Sequence, residues 1–249
     1  MIDIHTHILP DIDDGADNVS VAAELLRMEL NQGVKEVVFT PHYYGKISVE
    51  EFLAKRAAAR ESIETLIPRG LKVRCGAEIL LTGINDPTDE AICALAIEGT
   101  KSVMFELPFT EEWTDRLLDR IASFIDETGY TPIIAHVERY AEALENPYMV
   151  TALVQMGCLI QVNTHAFLNK STRRFALALM KHGLVHCLGT DTHDTDKRAP
   201  NYALAKELLR KKKRVDEFTN AQWCMKKILA GEAIRNPYGC VKKIGRYYF

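Results

Sequence analysis

The sequence predicts an α/β fold in which seven parallel strands close into a barrel surrounded by helices. Short apolar segments alternate with longer amphipathic segments along nearly the whole chain, and each helical segment ends at a glycine or proline before the next strand. Strands joined through helices by short loops run parallel with right-handed crossovers, and seven of them most simply form a barrel. A chain of 249 residues with 47% hydrophobic content can bury one large core. We therefore expect a single domain over residues 1–249.

The predicted strands are short apolar runs rich in β-branched residues. In chain order they are Ile2–His5, Val34–Thr40, Lys72–Glu78, Ser102–Glu106, Pro132–His136, Cys158–Val162 and Leu184–Gly189. The helices predicted between them, several closed by a glycine and one opened by the Ser48 capping box, are Val19–Gln32, Val49–Leu66, Asp89–Ile97, Glu111–Thr128, Pro147–Met156 and Arg173–His182. Tyr202–Lys213 and Asn220–Ala230 predict two more helices after the last strand.

Composition excludes several classes of protein. The net charge of −3 and a pI near 6.3 give no basic field for nucleic acid. The basic runs Lys211–Arg214 and Lys242–Arg246 are interpreted as a solvated helix face and a mobile end. No apolar stretch approaches the ~20 residues that span a bilayer, and no signal peptide is predicted. Six widely spaced cysteines without a Cys-x-x-Cys pair indicate reduced thiols and a cytoplasmic location.

Side chains of metal-binding type follow almost every predicted strand. His5 and His7 are two residues apart at the end of the first strand, so an extended backbone points both imidazoles to the same side. The other candidates at strand ends are His42, Glu78, Glu106, His136, Asp191 and His193. The carboxyl ends of parallel strands meet on one rim of a barrel, where active sites of this architecture lie. We therefore expect these side chains to form one cluster.

The donor types indicate the chemistry of this cluster. Imidazoles mixed with carboxylates, without cysteine, suit Mn²⁺, Fe²⁺ or Zn²⁺ and not a structural thiolate zinc site. The donors outnumber the ligands of one ion, which favours two or three ions. Two neighbouring ions can bind and stabilise both the attacking and the leaving oxygen of a phosphoryl displacement. The hypothesis is thus a phosphoester hydrolase in which a metal-bound hydroxide attacks phosphorus, without a covalent phosphoenzyme. Arg139 and Arg198 follow two of the histidines closely, and their guanidinium groups match phosphate oxygens.

Six short motifs together resemble those of a known family, and the opening motif is the most specific. They are His5-Thr-His7-Ile-Leu-Pro-Asp-Ile-Asp13-Asp14-Gly15-Ala16, Thr40-Pro41-His42-Tyr43, Glu78-Ile79, Glu106-Leu107-Pro108, His136-Val-Glu138-Arg139 and Asp191-Thr-His193. The chain resembles the polymerase and histidinol phosphatase (PHP) superfamily. Within it, the chain looks most like the bacterial metal-dependent protein-tyrosine phosphatases of capsular and exopolysaccharide operons.

The resemblance implies a distorted (β/α)7 TIM-like barrel (the PHP fold) that holds three metal ions, usually manganese. It implies a first ion on His5, His7, Glu78 and Asp191, a second that Glu78 shares with Glu106 and His136, and a third on Asp14, His42 and His193. Arg139 and Arg198 match the phosphate-contacting catalytic arginines of the family. The choice of Asp14 over Asp13 rests on the resemblance alone. The implied substrate and partner is a phosphotyrosine-bearing bacterial tyrosine kinase that controls polysaccharide synthesis.

Alternative functions stay open from the sequence. A small-molecule phosphatase of the same superfamily, such as a histidinol phosphate phosphatase, would use the same metals. A metal-dependent amidohydrolase also begins with His-x-His, but it commonly needs a carboxylated lysine, and no lysine ends a middle strand here. A non-catalytic metal-binding partner of a kinase would keep the ligands without turnover. His165 is interpreted as a rim or supporting residue, and His182 and His186 as structural histidines.

Overall fold

The computed structural model describes residues 1–109, 112–234 and 237–249 and confirms the predicted α/β barrel-like architecture. The strands of its parallel sheets are β1 Ile2–Thr6, β2 Glu36–Phe39, β3 His42–Tyr43, β4 Lys72–Cys75, β5 Glu78–Leu80, β6 Ser102–Glu106, β7 Thr131–Ile134, β8 Leu159–Asn163 and β9 Cys187–Gly189. All seven predicted strand positions are therefore found, with ends shifted by a few residues, and the predicted strand at 72–78 is divided in two.

The strands form two parallel sheets that continue into each other. One has the order β1-β2-β4 and the other the order β3-β5-β6-β7-β8-β9. Pro41 lies between β2 and β3 and has no N–H to donate, which interrupts the hydrogen bonding of this part of the chain to the sheet. Gly76 lies between β4 and β5. On the other side, Thr6 and Thr192 form a parallel bridge, and His7 N donates to Thr192 O at 2.9 Å. The last strand thus meets the first, as in a closed barrel.

The helices lie between the strands in the predicted order. They are α1 Val19–Asn31, α2 Val49–Ser62, α3 Glu90–Cys93, α4 Asp115–Thr128, α5 Ala141–Glu145, α6 Tyr148–Gln155, α7 Thr164–Leu168, α8 Arg173–Lys181, α9 Tyr202–Lys211 and α10 Val215–Leu229. Both α5 and α7 are short helices that the sequence pattern did not predict. The helix predicted from Glu111 begins at Asp115, where Thr114 accepts a hydrogen bond from Leu117 N, and Glu111 itself lies outside the described residues.

The basic C-terminal segment forms a hairpin, which corrects the expectation of a mobile end. Its antiparallel strands are β10 Lys243–Ile244 and β11 Tyr247–Tyr248. The Tyr248 ring lies 5.1 Å from that of Phe175, and its hydroxyl donates to Leu144 O at 3.0 Å. Lys243 also pairs with Glu145 at 2.7 Å. These contacts with distant residues hold the segment, and nothing in its local sequence predicts them.

Two buried carboxyl groups fix the first strand against the last, directly below the strand ends. Asp3 accepts hydrogen bonds from the backbone N–H groups of His5 and Thr190, at 3.2 and 3.0 Å. Burial raises the pKa of Asp3 to about 6, and burial together with Asp3 raises the pKa of Glu29 well above its ordinary value, so the pair can share a proton. Gly189 allows β9 to lie this close to β1, because a Cβ at position 189 would lie 2.5 Å from His5 Cβ. The backbone of His5 is thereby held in place.

The residues of the described part include no helix that combines the length and the hydropathy required to cross a lipid bilayer.

Candidate metal centre

The nine side chains predicted as metal ligands lie together at the carboxyl ends of the strands. Overlapping groups of donors have all their ligand atoms within 4.8 Å of one another: His5, Glu78 and His136; His5, His7 and Asp191; His42, Glu78 and Glu106; and His7, Asp14, His42 and His193. Two ligands bound to one ion at about 2.1 Å lie at most about 4.2 Å apart, so a contraction of roughly half an ångström would bring each group to the size of a coordination shell. The assignment of particular ligands to particular ions stays a prediction.

Glu78 lies at the middle of the cluster. Its Oε2 is 3.1 Å from His5 Nε2, 3.2 Å from His7 Nε2 and 3.2 Å from His42 Nδ1. Its Oε1 is 2.6 Å from His136 Nε2. The carboxylate is fully buried, yet the neighbouring His5 and His136 hold its pKa well below the ordinary value against the effect of burial. An ionised carboxylate facing four imidazoles can bridge two ions.

The rings of His42 and His193, which lie nearest to Asp14, favour the neutral form in which a ring nitrogen can bind a metal. Burial and the neighbouring charge of His7 lower the pKa of His193 to about 3, and the same two causes lower the pKa of His42. His193 Nδ1 donates to the carbonyl of Asp191 at 2.9 Å, which leaves Nε2 without a proton. Asp14 Oδ1 lies 3.4 Å from that nitrogen and 3.5 Å from His42 Nε2. These three side chains can therefore hold an ion on the open side.

Orphaned buried nitrogen atoms support a metal at this place. Among the described residues, His42 Nδ1 and His193 Nε2 are buried and have no hydrogen-bond partner. His5 Nε2 and His7 Nε2 lie only 3.1 Å apart. Leaving polar groups buried and unpaired is unfavourable in a protein interior, and cations between these nitrogens and the carboxylates would satisfy them. The mixture of imidazole and carboxylate donors fits Mn²⁺, Fe²⁺ or Zn²⁺.

Three residues outside the predicted set of nine ligands hold the candidate ligands in place. Asp13 Oδ2 accepts hydrogen bonds from His7 Nδ1 at 2.7 Å and from His42 N at 2.9 Å. Gln161 Oε1 lies 3.2 Å from His5 Nδ1 and accepts from His136 N at 2.5 Å. Asn163 Nδ2 donates to Asp191 Oδ2 at 2.9 Å. Gln161 and Asn163 are two residues apart on β8, so their side chains share one face of an otherwise apolar strand, and this was the available signal.

The structure gives different positions to Asp13 and Asp14, which the residues alone could not separate. The Asp13 side chain is 1% exposed and its oxygens are occupied by His7, His42 and Gly15. The Asp14 side chain is 62% exposed and faces His42 and His193. Burial lowers the pKa of His7, but the negative charge of Asp13 raises it, and the resulting pKa is about 10. Asp13 is therefore placed to orient the candidate ligand His7, whereas Asp14 is placed to be a ligand itself.

The Asp13→Asn variant is expected to keep the fold and to bind metal about 10- to 100-fold more weakly. The uncharged amide no longer stabilises the Nδ1-protonated form of His7, whose Nε2 faces the cluster. Calorimetric titration of the metal-stripped protein with Mn²⁺ measures the change. Asp17→Asn, at an exposed position four residues later, is the matched control and should bind as the unmodified protein does. Equal affinities in the two variants would contradict the orienting role.

The two predicted arginines lie beside the cluster. Arg139 Nη1 is 3.2 Å from Asp191 Oδ2, and its guanidinium lies 4.7 Å from the ring centre of Phe109. Arg198 Nη2 is 2.9 Å from Asp191 Oδ1, and Nη1 is 3.8 Å from Asp14 Oδ2. Both side chains are partly exposed. They can reach a phosphate oxygen at the open side while a carboxylate and an aromatic face hold them in position.

Two candidate ligands have unusual backbone angles. His136 has φ 30° and Asp191 has φ 53°, in the left-handed region that residues with a side chain rarely adopt. Each conformation costs on the order of 1–3 kcal/mol and persists only where the surroundings impose it. At Asp191 the surroundings are the two arginines and Asn163. The strain lies at the site and supports a functional reason for the geometry.

The parallel barrel and the clustered donors at its carboxyl rim define an α/β barrel-type protein with a candidate polynuclear metal centre. A family model described as "Capsular polysaccharide synthesis, CpsB/CapC" matches residues 1–227. The chain belongs to this CpsB/CapC family, which confirms the relationship that the motifs predicted.

Named relatives and solved structures agree with this membership. The chain is 32% identical over 203 residues to tyrosine-protein phosphatase YwqE of Bacillus subtilis, covering 80% of this chain and 79% of that protein. It is 31% identical over 232 residues to tyrosine-protein phosphatase CpsB of Streptococcus pneumoniae, covering 85% and 90%. Crystal structures described as YwqE and CpsB from these organisms, "unique metal-dependent tyrosine phosphatases", match with a TM-score of 0.81 at 27% identity, covering 98% of this chain and 100% of the other. The Listeria monocytogenes lactonase Lmo2620 shares the fold alone, with a TM-score of 0.54 at 14% identity, covering 94% and 95%.

Proposed function

We propose that this protein is a metal-dependent protein-tyrosine phosphatase that acts on a bacterial tyrosine kinase in capsular polysaccharide synthesis. The names of its relatives support the activity, and the description of its family supports the biological setting. The observation that carries the proposal is the convergence of nine imidazole and carboxylate groups with two arginines at one rim of the barrel. Such a set can bind several cations and a phosphate together.

The proposed ligand scheme follows the grouping of the donors. His5, His7, Glu78 and Asp191 hold one ion, Glu78 shares a second with Glu106 and His136, and Asp14, His42 and His193 hold a third. Manganese is the proposed metal, and the donor types also suit iron or zinc. When bound, such ions act as Lewis acids, lower the pKa of water and stabilise phosphoryl-group charge.

The protein's own residues bind and orient the substrate. Arg139 and Arg198 bind the outer oxygens of the phosphate, and their positive charge stabilises the negative charge that develops in the transition state. Asp191 holds both guanidinium groups before substrate arrives, which reduces the cost of positioning them. Tyr44, whose ring lies 5.0 Å from that of His42 and is partly exposed, is placed at the open side where an aromatic leaving group could stack.

Removal and return of metal test this function. The protein treated with a chelator and dialysed should lose hydrolysis of a phosphotyrosyl peptide, and added Mn²⁺ should restore it. Elemental analysis of protein purified without chelator or added metal identifies the bound ion. Phosphoseryl peptide and histidinol phosphate are the comparison substrates. Faster hydrolysis of histidinol phosphate would favour the small-molecule phosphatase, and metal binding without any turnover would favour the non-catalytic kinase partner.

A further inference from the structure

A cavity of about 290 Å³ opens directly beside the two arginines. Arg139, Asp191 and Arg198 form its wall toward the candidate metal centre. The far wall comes from α7, the turn after it and the loop that follows β9, and includes His165, Asn169, Lys197 and Asn201. A phosphate held by the arginines would therefore lie at one end of a space that continues along the surface.

The charge that this cavity presents is positive. Lys197 is exposed and has no ion pair among the described residues, unlike Lys55, Lys211, Lys227 and Lys243, which each face a glutamate. The His165 ring is also exposed on this wall and has no side-chain partner in the described part.

Two carboxylates, those of Asp191 and Glu138, belong to the cavity wall, and both residues are buried. Both oxygens of Asp191 face arginines. One oxygen of Glu138 accepts a hydrogen bond from Asn163 N at 3.1 Å, whereas its Oε2 has no hydrogen-bond partner among the described residues. Asp194, in the same loop as Lys197, accepts hydrogen bonds from the backbone N–H groups of Asp196 and Arg198. Because both carboxylates are buried and both arginines face Asp191, Lys197 is the exposed charged side chain of the wall that has no ion pair among the described residues.

We propose that this cavity is a specificity subsite that binds an acidic residue next to the phosphotyrosine of the substrate, with Lys197 as the residue that selects it. The inference rests on the proposed function, because the arginines must hold the phosphate for the neighbouring residue to enter the cavity. An exposed lysine contributes modestly to such a pair, so the preference is about two- to fivefold. The amide groups of Asn169 and Asn201 give the walls polar character without adding charge.

Charge reversal at Lys197 tests the subsite. The probes are three phosphonate peptides that cannot be hydrolysed, identical except for glutamate, glutamine or lysine beside the phosphotyrosine mimic. Calorimetry with the metal-loaded protein should give the tightest binding for the glutamate peptide. The Lys197→Glu variant should reverse the order and bind the lysine peptide most tightly. Lys170→Glu, an exposed lysine outside the cavity wall, is the matched control and should keep the original order.

The measurement separates failure of the subsite from failure of the proposed function. Binding of these peptides does not depend on turnover, and hydrolysis of the corresponding phosphopeptides is measured in parallel. An unchanged order of affinity in Lys197→Glu, or no preference in the unmodified protein, overturns the subsite even when hydrolysis is normal. If the protein hydrolyses none of the phosphopeptides but Lys197→Glu still reverses the order of peptide affinities, the phosphatase activity is rejected and the binding subsite is kept. In the active protein, the preference should appear in KM, with kcat little changed, because the contact lies away from the reacting bond.

Discussion

The Glu78→Gln variant should lose hydrolysis of phosphotyrosyl peptide by at least about 10³-fold and should retain fewer metal ions than the unmodified protein. Glu78 faces four imidazoles, which come from β1 and its end, from β3 and from the end of β7, at distances from 2.6 to 3.2 Å. A neutral amide replaces the charge that would bridge two ions, and its NH₂ group is a donor where ring nitrogens need a cation. Steady-state kinetics with elemental analysis of the same preparation measure both effects.

The control for this variant is Glu36→Gln. Glu36 begins β2 at the opposite end of the barrel and pairs with Arg74 at 2.8 Å, away from the cluster. The Glu36→Gln variant carries the same chemical change on a different strand, so we expect full activity and full metal content. His136→Ala should resemble Glu78→Gln, because His136 lies 2.6 Å from Glu78 and 3.4 Å from Glu106. Substantial activity in either variant would refute the proposed ligand scheme.

The Arg139→Ala variant should lower kcat/KM for phosphotyrosyl peptide by about 10²- to 10³-fold while leaving metal content unchanged. The reason is that the guanidinium stabilises charge on the transferred phosphoryl group and is not itself a metal ligand. Arg139→Lys should recover only part of the loss, because an ammonium cannot make the paired hydrogen bonds of a guanidinium or stack on Phe109 in the same way. Kinetics and elemental analysis again distinguish the two roles.

Arg27→Ala is the matched control, since Arg27 is an exposed arginine of α1 and should leave kcat/KM unchanged. Loss of metal in Arg139→Ala would show that the arginine stabilises the centre through Asp191 and does not act mainly on the phosphate. Activity within a few-fold of the unmodified protein would remove Arg139 from the mechanism. The same experiment on Arg198 compares the two guanidinium groups that Asp191 holds.

The relation between sequence and structure differs from one part of the site to another. His5 and His7 could be placed from sequence because alternation along an extended strand is a local property. The order of β-strands and helices was predictable for the same reason, since both periodicities repeat within a few residues. The short strand β3 was not predicted, because the predicted strand ends at Thr40 before Pro41 and only the pairing of His42 with Glu78 shows that the chain rejoins a sheet. The hairpin at 243–248 was missed because distant residues hold it.

By itself, the sequence determined which strands carry imidazole and carboxylate groups at their ends, and therefore the class of chemistry at the rim. Only the tertiary structure separated Asp13, enclosed by His7 and His42, from Asp14, which faces the open side. It also brought Gln161 to the candidate ligands His5 and His136 and placed Lys197 on the cavity wall. The physical reason is that residue type and local periodicity are encoded within a few neighbouring residues, whereas ångström distances between remote side chains depend on how every strand packs against the next.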